Sequence, residues 1–579
     1  MQPPQGRIGQ TVMLALLVLF LGAKEPNATA QSPAPPPASE DFAERLDVEV
    51  VNVDVVVTDA KERRVVDLGK EDFELWVDGR PVPVEYFARP RGGSPVPSAA
   101  PTGGATAPAP AVPAAQTLPA AATNLVLFID QTALESQDRK SAVEELRQYI
   151  ASRPPGADKI SVAVFEQRLR LLLTPTSDRA AIADALAQIE GRPSLALLGS
   201  RERMQLEREI RDVASPGKDP RALEQAIVSW GEQQIDLERR SIAALGQVVD
   251  SLAAVEGRKV ILLATVGVEA NPAQFLLDAL DQQRGALTAS DTNRGPTLEL
   301  QGQTLLAEFE EVIQRAQNAR VTIYSVSPVV RPPTQGSAEF GGIGPDAARP
   351  LPRDFGPAEA GASIARLTGA TGGTAFTIRG DLDRRLEGLT ADIDAAYSLG
   401  FSTGPEAGDE DHRIEVRIRR PDLSVRHRES YRRTSAPARA AAALTAAATF
   451  GQSENPLAIT LSLGEGRPDG KKKGEIVPIA VGIPLRLLAL VPKGDERHGS
   501  ISVRVSIQDA RGRLLESGVT VVPIVVPEGD IERALAASWY HRAEVHLAVG
   551  RQRVAVAVVD EVSGLQSTVF EEIEIPAAK

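Results

Sequence analysis

The chain is 579 residues long, too many for one hydrophobic core, so roughly two to four domains are expected. Its formal charge is −13, from 64 basic and 77 acidic side chains with no long basic block, which argues against a nucleic-acid backbone as partner. Cysteine is absent, which excludes disulfides, thiolate nucleophiles and iron–sulfur clusters.

Residues 1–30 read as a signal peptide: Arg7 precedes an apolar core from Thr11 to Ala23, and Ala28, Thr29 and Ala30 form a small-residue cleavage site. The apolar run is too short to span a bilayer comfortably. The mature chain is therefore expected to begin near Gln31, to be secreted or periplasmic within the cell envelope, and to carry no transmembrane segment. An uncleaved anchor is the alternative, since Lys24 and Glu25 could act as a stop.

A proline-rich leader (31–45) precedes a β-rich unit at 46–90. There Val51, Val53, Val55 and Val57 alternate with polar residues, and Phe73, Leu75 and Val77 run into the hairpin signal Asp78-Gly79. The return strand is predicted to hold Val82, Val84 and Tyr86, at a sheet edge because Pro81 and Pro83 lack donors. Residues 91–122 are almost wholly Pro, Ala, Gly, Ser and Thr, the composition of a semi-extended spacer.

From Thr123 apolar strands alternate with helices. The strands are TNLVLFID ending at Asp130, KISVAVF from Lys159, RKVILLATV from Arg258 and VTIYSV from Val321. Between them, helical stripes such as Val143, Leu146 and Ile150, or Ile242, Leu245, Val249 and Leu252, predict amphipathic helices, with a charged helical excursion at 200–233. Strands apolar on both faces specify a doubly wound, mostly parallel α/β sheet over 123–396. Strands at 397–433 are expected to return and pair with 46–90, which makes the α/β domain an insert. An alanine-rich short helix or linker (434–449) leads to a β-sandwich of immunoglobulin-like type at 450–579, where Ile501, Val503, Val505 and Ile507 alternate.

The order of LVLFID, KISVAVF, RKVILLATVG, VTIYSVSP and TGGTAFTI resembles a von Willebrand factor A domain. With VDVVVTD and KEDFELWVDGRPV before it, and AAYSLGFST and IEVRIRRPDLSVRHRESY after it, the stretch 46–433 resembles the VWFA-related family described in acidobacteria. The resemblance implies a metal-ion-dependent adhesion site of DxSxS type, completed by a hydroxyl on a second loop and an aspartate after a later strand. Asp130 matches the first aspartate, Thr132 the first serine and Ser194 the second-loop hydroxyl. Leu134 and Val266 stand where a hydroxyl and a carboxylate belong, with Glu135, Asp138 and Glu269 as conceivable substitutes. So few oxygens hold Mg²⁺ poorly, so no cofactor is expected, with Mg²⁺ on Asp130, Thr132 and Ser194 as the alternative.

Asp130 lies at the carboxyl end of its strand, where α/β sheets bind ligands. Two readings follow for it: a cap on the following helix, or a metal-independent contact face for a protein partner at the envelope, together with Thr132 and Ser194. The five histidines fall at no metal spacing, the SxxK form at Ser215–Lys218 contains Pro-Gly, and Gly466–Lys472 is one short of a phosphate loop. No nucleophile and base can be paired, so no enzyme is expected. The expected function is an exported interaction or adhesion module, the alternative a non-catalytic recruiting or regulatory subunit of a periplasmic enzyme or assembly complex.

Overall fold

A computed structural model describes residues 49–576 except 62, 90–122, 157, 193–195, 214, 216, 256, 285–295, 328–355, 378–387, 394–395, 404–409, 434, 470–473 and 511. The expected signal peptide, leader and spacer, as well as Ser194 and Lys472, lie outside the described residues, and among these no helix is long and apolar enough to cross a membrane.

Two sheets form a β platform around one apolar cluster that includes Val53, Phe73, Tyr397 and Ile414. Its first strand, β1 (Glu49–Asp59), is flanked on both sides by strands from far downstream, β11 (Tyr397–Thr403) and β13 (Leu423–His427). In the second sheet β2 (Phe73–Val77) pairs with β12 (Asp411–Ile418). The Tyr397 hydroxyl ties the cluster to the polar connection, donating to the Val65 carbonyl at 2.9 Å and accepting from the Leu68 amide at 3.0 Å. At the hairpin, Asp78 (φ 50°) and Gly79 (φ 75°) both turn left-handed, as a two-residue hairpin requires. The return differs from expectation. β3 (Arg80–Val82) is the edge of one sheet and stops before Pro83, and β4 (Tyr86–Ala88) crosses to the other sheet to pair with β11. Two prolines leave too few donors for one continuous ladder.

Between the halves of the platform the chain folds into the α/β domain. Its six strands are β5 (Thr123–Asp130), β6 (Asp158–Phe165), β7 (Leu169–Thr176), β8 (Lys259–Ala264), β9 (Val321–Ser327) and β10 (Ala375–Thr377), ordered β10-β9-β8-β5-β6-β7. All pairings are parallel except β6 with β7. This is the doubly wound 3-2-1-4-5-6 order with its third strand reversed. Leu125, Leu127 and Ile129 of β5 face α1 (Ser136–Ser152) and α2 (Arg179–Glu190), and Val126 and Phe128 face α4 (Pro220–Ala253), α6 (Pro296–Asn318) and α7 (Gly356–Ala370). Both faces are covered, so the strand reads as a continuous apolar run. A buried pair, Arg153 Nε to Asp158 Oδ2 at 2.7 Å with a second contact at 3.0 Å, fixes the end of α1 against the start of β6.

The alanine-rich segment is a docked helix, α8 (Ala436–Phe450), closed by Gly451 at φ 63°. Alanine permits close approach: Leu444, Ala447 and Ala448 pack on Ala555 and Ala557, while Phe450 joins the core beneath α4. Beyond it, strands from Thr460 to Ile575 form two antiparallel sheets around Val477, Val481, Val503 and Val556.

Candidate functional site

The topological switch point lies between β5 and β8, and Asp130 is the last residue of β5. The residue is 4 % exposed. Oδ1 accepts from the Thr132 amide (2.9 Å), the Thr132 hydroxyl (2.6 Å) and the Ala133 amide (3.2 Å), and Oδ2 accepts from the Ser241 hydroxyl of α4. The expected cap on the helix is therefore a cap on the preceding turn, because α1 starts only at Ser136. The expected outward acidic face is corrected as well: Asp130 is closed over by the chain's own helix.

Helix length explains the closure. At about 1.5 Å per residue the 34 residues of α4 extend roughly 50 Å, whereas the six of β8 extend roughly 20 Å. The half from Ile242 to Leu252 covers the sheet. The half with Leu223, Ile227, Trp230 and Ile235 continues past the rim and packs with α3 (Ala196–Arg211), α5 (Gln274–Arg284) and Leu298 of α6. Gly231 permits the approach, since a Cβ there would lie 2.5 Å from that of Ala273. The excursion and the long helix read separately from the sequence are thus one α4 from Pro220 onward.

The opposite wall is the turn after β8. Val268 donates to the Ser363 hydroxyl at 2.8 Å, and that hydroxyl donates to the Ala360 carbonyl at 2.7 Å, which pins the turn to α7. Thr265 accepts from the Ser327 hydroxyl through its carbonyl, at 2.7 Å. What remains between α4, α7 and the rim is a cavity of about 30 Å³, lined by Asp130, Glu238, Ser241, Thr265 and Ser363 among others. That is space on the scale of one or two waters.

The residues do not suit the ion the resemblance implied. Leu134 is fully buried in the cluster under α1, and Val266 packs against the same cluster, so neither position offers an oxygen. Thr132 turns its hydroxyl onto Asp130, and among the described residues no three His, Asp or Glu side chains converge as a metal-holding group. Of the substitutes, Glu135 accepts from Ser200 at 3.0 Å and Glu269 lies near Glu238.

No family model matches the chain, and no curated protein matches it. Partial likeness exists to solved structures. An aerotolerance-related membrane protein from Bacteroides fragilis NCTC 9343 is 11 % identical with a TM-score of 0.23, over 47 % of this chain and 98 % of that one. The conserved hypothetical protein BatB from Bacteroides thetaiotaomicron is 11 % identical with a TM-score of 0.21 over the same shares. Proximal thread matrix protein 1 from the mussel byssus, with a zinc-occupied MIDAS motif, is 12 % identical with a TM-score of 0.21, over 49 % of this chain and 48 % of that one. The chain thus matches about half the length of the mussel protein, and the fold assignment rests on strand order and direction.

Sequence reading missed Glu238 and Ser241, three residues apart on one face of α4. Burial raises the Asp130 carboxyl above its ordinary value against its four hydrogen bonds, and it raises Glu238 well above 4.5, helped by the charges of Asp130 and Glu269. A carboxyl raised on folding contributes stability that is complete below its unfolded value and lost as pH rises through its folded one. Glu238→Gln removes that loss. The variant is expected to be more stable than wild type at pH 7 and indistinguishable near pH 4, which thermal melts across that range would read. A variant less stable at pH 7 would contradict the repulsion.

Proposed function

We propose that this chain is an exported protein–protein interaction module of von Willebrand factor A type, whose rim site is a degenerate adhesion site without metal chemistry. One observation carries the reading: Asp130 keeps the switch-point position, but hydroxyls of Thr132 and Ser241 take up its oxygens. Export is supported by Arg7, the apolar run to Ala23 and the small residues 28–30. A non-catalytic role is supported by the failure of any nucleophile and base to pair in the sequence. The sandwich, joined through α8 to the core of the α/β domain at Phe450, adds a second surface and favours the alternative of a recruiting or regulatory subunit in a periplasmic enzyme or assembly complex.

The test is retention of envelope proteins on immobilised wild type and Asp130→Ala, in Mg²⁺ and in chelator, beside a mock bait. Specific retention that is the same in Mg²⁺ and chelator is expected. Retention that needs Mg²⁺ and is lost in Asp130→Ala would restore the metal reading, and no specific retention would remove the interaction reading altogether.

A further inference from the structure

With the rim closed, the reversed edge of the α/β sheet becomes the notable surface. Among the described residues β7 ends the sheet, paired with β6 on one side and with no strand on the other. A groove of about 650 Å³ runs along Arg168–Thr174, within the range of ligand clefts. Its far wall is the β-sandwich. The two walls meet at one end, where a Cβ on Gly512 would lie 3.7 Å from the Leu169 carbonyl oxygen.

The edge itself is largely apolar between Arg170 and Pro175. Leu171, Leu172 and Leu173 are half-buried: the first reaches the core under α4, the other two the core under α1. Proteins normally blunt such an edge with charges, prolines, bulges or a cover, and here Arg170 and Pro175 stand within the strand while the sandwich closes on it at the Leu169 end. The groove is also basic in an acidic chain. Arg168, Arg170, Arg551 and Arg553 line it against Asp509 and Glu572, in a molecule of net charge −13. Arg551 and Arg553 share the single carboxylate of Glu572, Arg170 pairs with Glu166 at 3.1 Å, and Arg168 has no ion pair among the described residues.

We propose that this groove receives an extended acidic segment of a partner protein, which adds to β7 as a further strand. Main-chain hydrogen bonds to the free edge supply affinity, and alternate carboxylates meeting arginines on both walls supply selectivity. The eight residues of β7 span roughly 26 Å, enough for a segment of about the same length. The inference rests on the reading of the chain as a protein-binding module but does not involve the rim.

The probe is a fluorescein-labelled synthetic octapeptide of alternating valine and glutamate, read by anisotropy against the full chain. Saturable binding is expected, at least about tenfold weaker for a valine–lysine peptide and for Arg168→Glu, an exposed position whose thermal melt should match wild type. Strand addition uses one edge of the peptide. N-methylation of one alternate set of residues is therefore expected to abolish binding while methylation of the other set is tolerated. Equal binding by both methylated peptides, or no saturable binding up to about 1 mM, would overturn the proposal. Specific envelope partners retained by a chain that binds no such peptide would leave the interaction reading standing and remove only this groove.

Discussion

Asp392→Ala is expected to destabilise the junction between the α/β domain and the β platform by about 3 kcal/mol. Asp392 lies in the last helical segment of the insert (388–393) and is 0 % exposed. Its Oδ2 accepts from Arg426 Nη2 of β13 at 2.7 Å, and its Oδ1 pairs with Arg64 from the connection after β1. Arg426 also reaches the Gly373 carbonyl at 2.9 Å, so one guanidinium clasps two parts of the insert. Breaking a buried pair costs about 3–5 kcal/mol because the abandoned charge stays desolvated. The arginine side chains are 18 % and 27 % exposed, so water can partly reclaim them and the lower end applies. The three tryptophans report one region each: Trp76 in the platform, Trp230 in α4 and Trp539 in the sandwich. In denaturant, the Trp76 and Trp230 transitions of wild type should coincide, and those of Asp392→Ala should separate. Coincident transitions in the variant, shifted by under about 1 kcal/mol, would show that the clasp does not couple the two.

Gly267→Ala is expected to cost about 3 kcal/mol or more, in the turn after β8 that forms one wall of the rim cavity. Gly267 has φ 106°, a region that side chains rarely enter. A Cβ there would overlap the Ala360 carbonyl, at 2.7 Å from its carbon. Strain of about 1–3 kcal/mol and overpacking of about the same size act together, because the obstacle is backbone that Ser363 holds in place. Gly361 in the same helix gives the contrast. Nothing lies within 4 Å of a Cβ added there, so Gly361→Ala should stabilise α7 by roughly 0.5–1 kcal/mol. Thermal melts of the two variants should move in opposite directions; a neutral Gly267→Ala would mean that α7 retreats freely from the rim.

The doubly wound sheet was legible because each central strand is apolar on both faces and each helix shows a stripe, as Leu125 to Asp130 and Ile242 to Leu252 illustrate. The platform was legible in part: alternation in Val51 to Val57 marks a half-buried strand, but nothing local tells Val82 and Tyr86 that they belong to different sheets. The closure of the rim was not legible. Leu223, Ile227 and Trp230 continue the α4 stripe, yet the charges between them disguised the continuity. A serine in mid-helix carries no mark of the carboxylate it will meet 111 residues away. Asp130 was thus found by its place at a strand end, and its environment was misjudged because burial there is imposed by length of helix rather than by any neighbour in sequence.

The split platform also sets a timetable. Val55 meets Tyr397, so β1 must wait for a partner some 340 residues further along the chain. Such distant pairing is slow to nucleate, since a long loop must close before any contact rewards it. A finished α/β insert holds its two chain ends near each other and shortens that search, so assembly of the platform becomes a checkpoint: a molecule whose insert misfolds leaves β1 bare and exposed to proteases or chaperones.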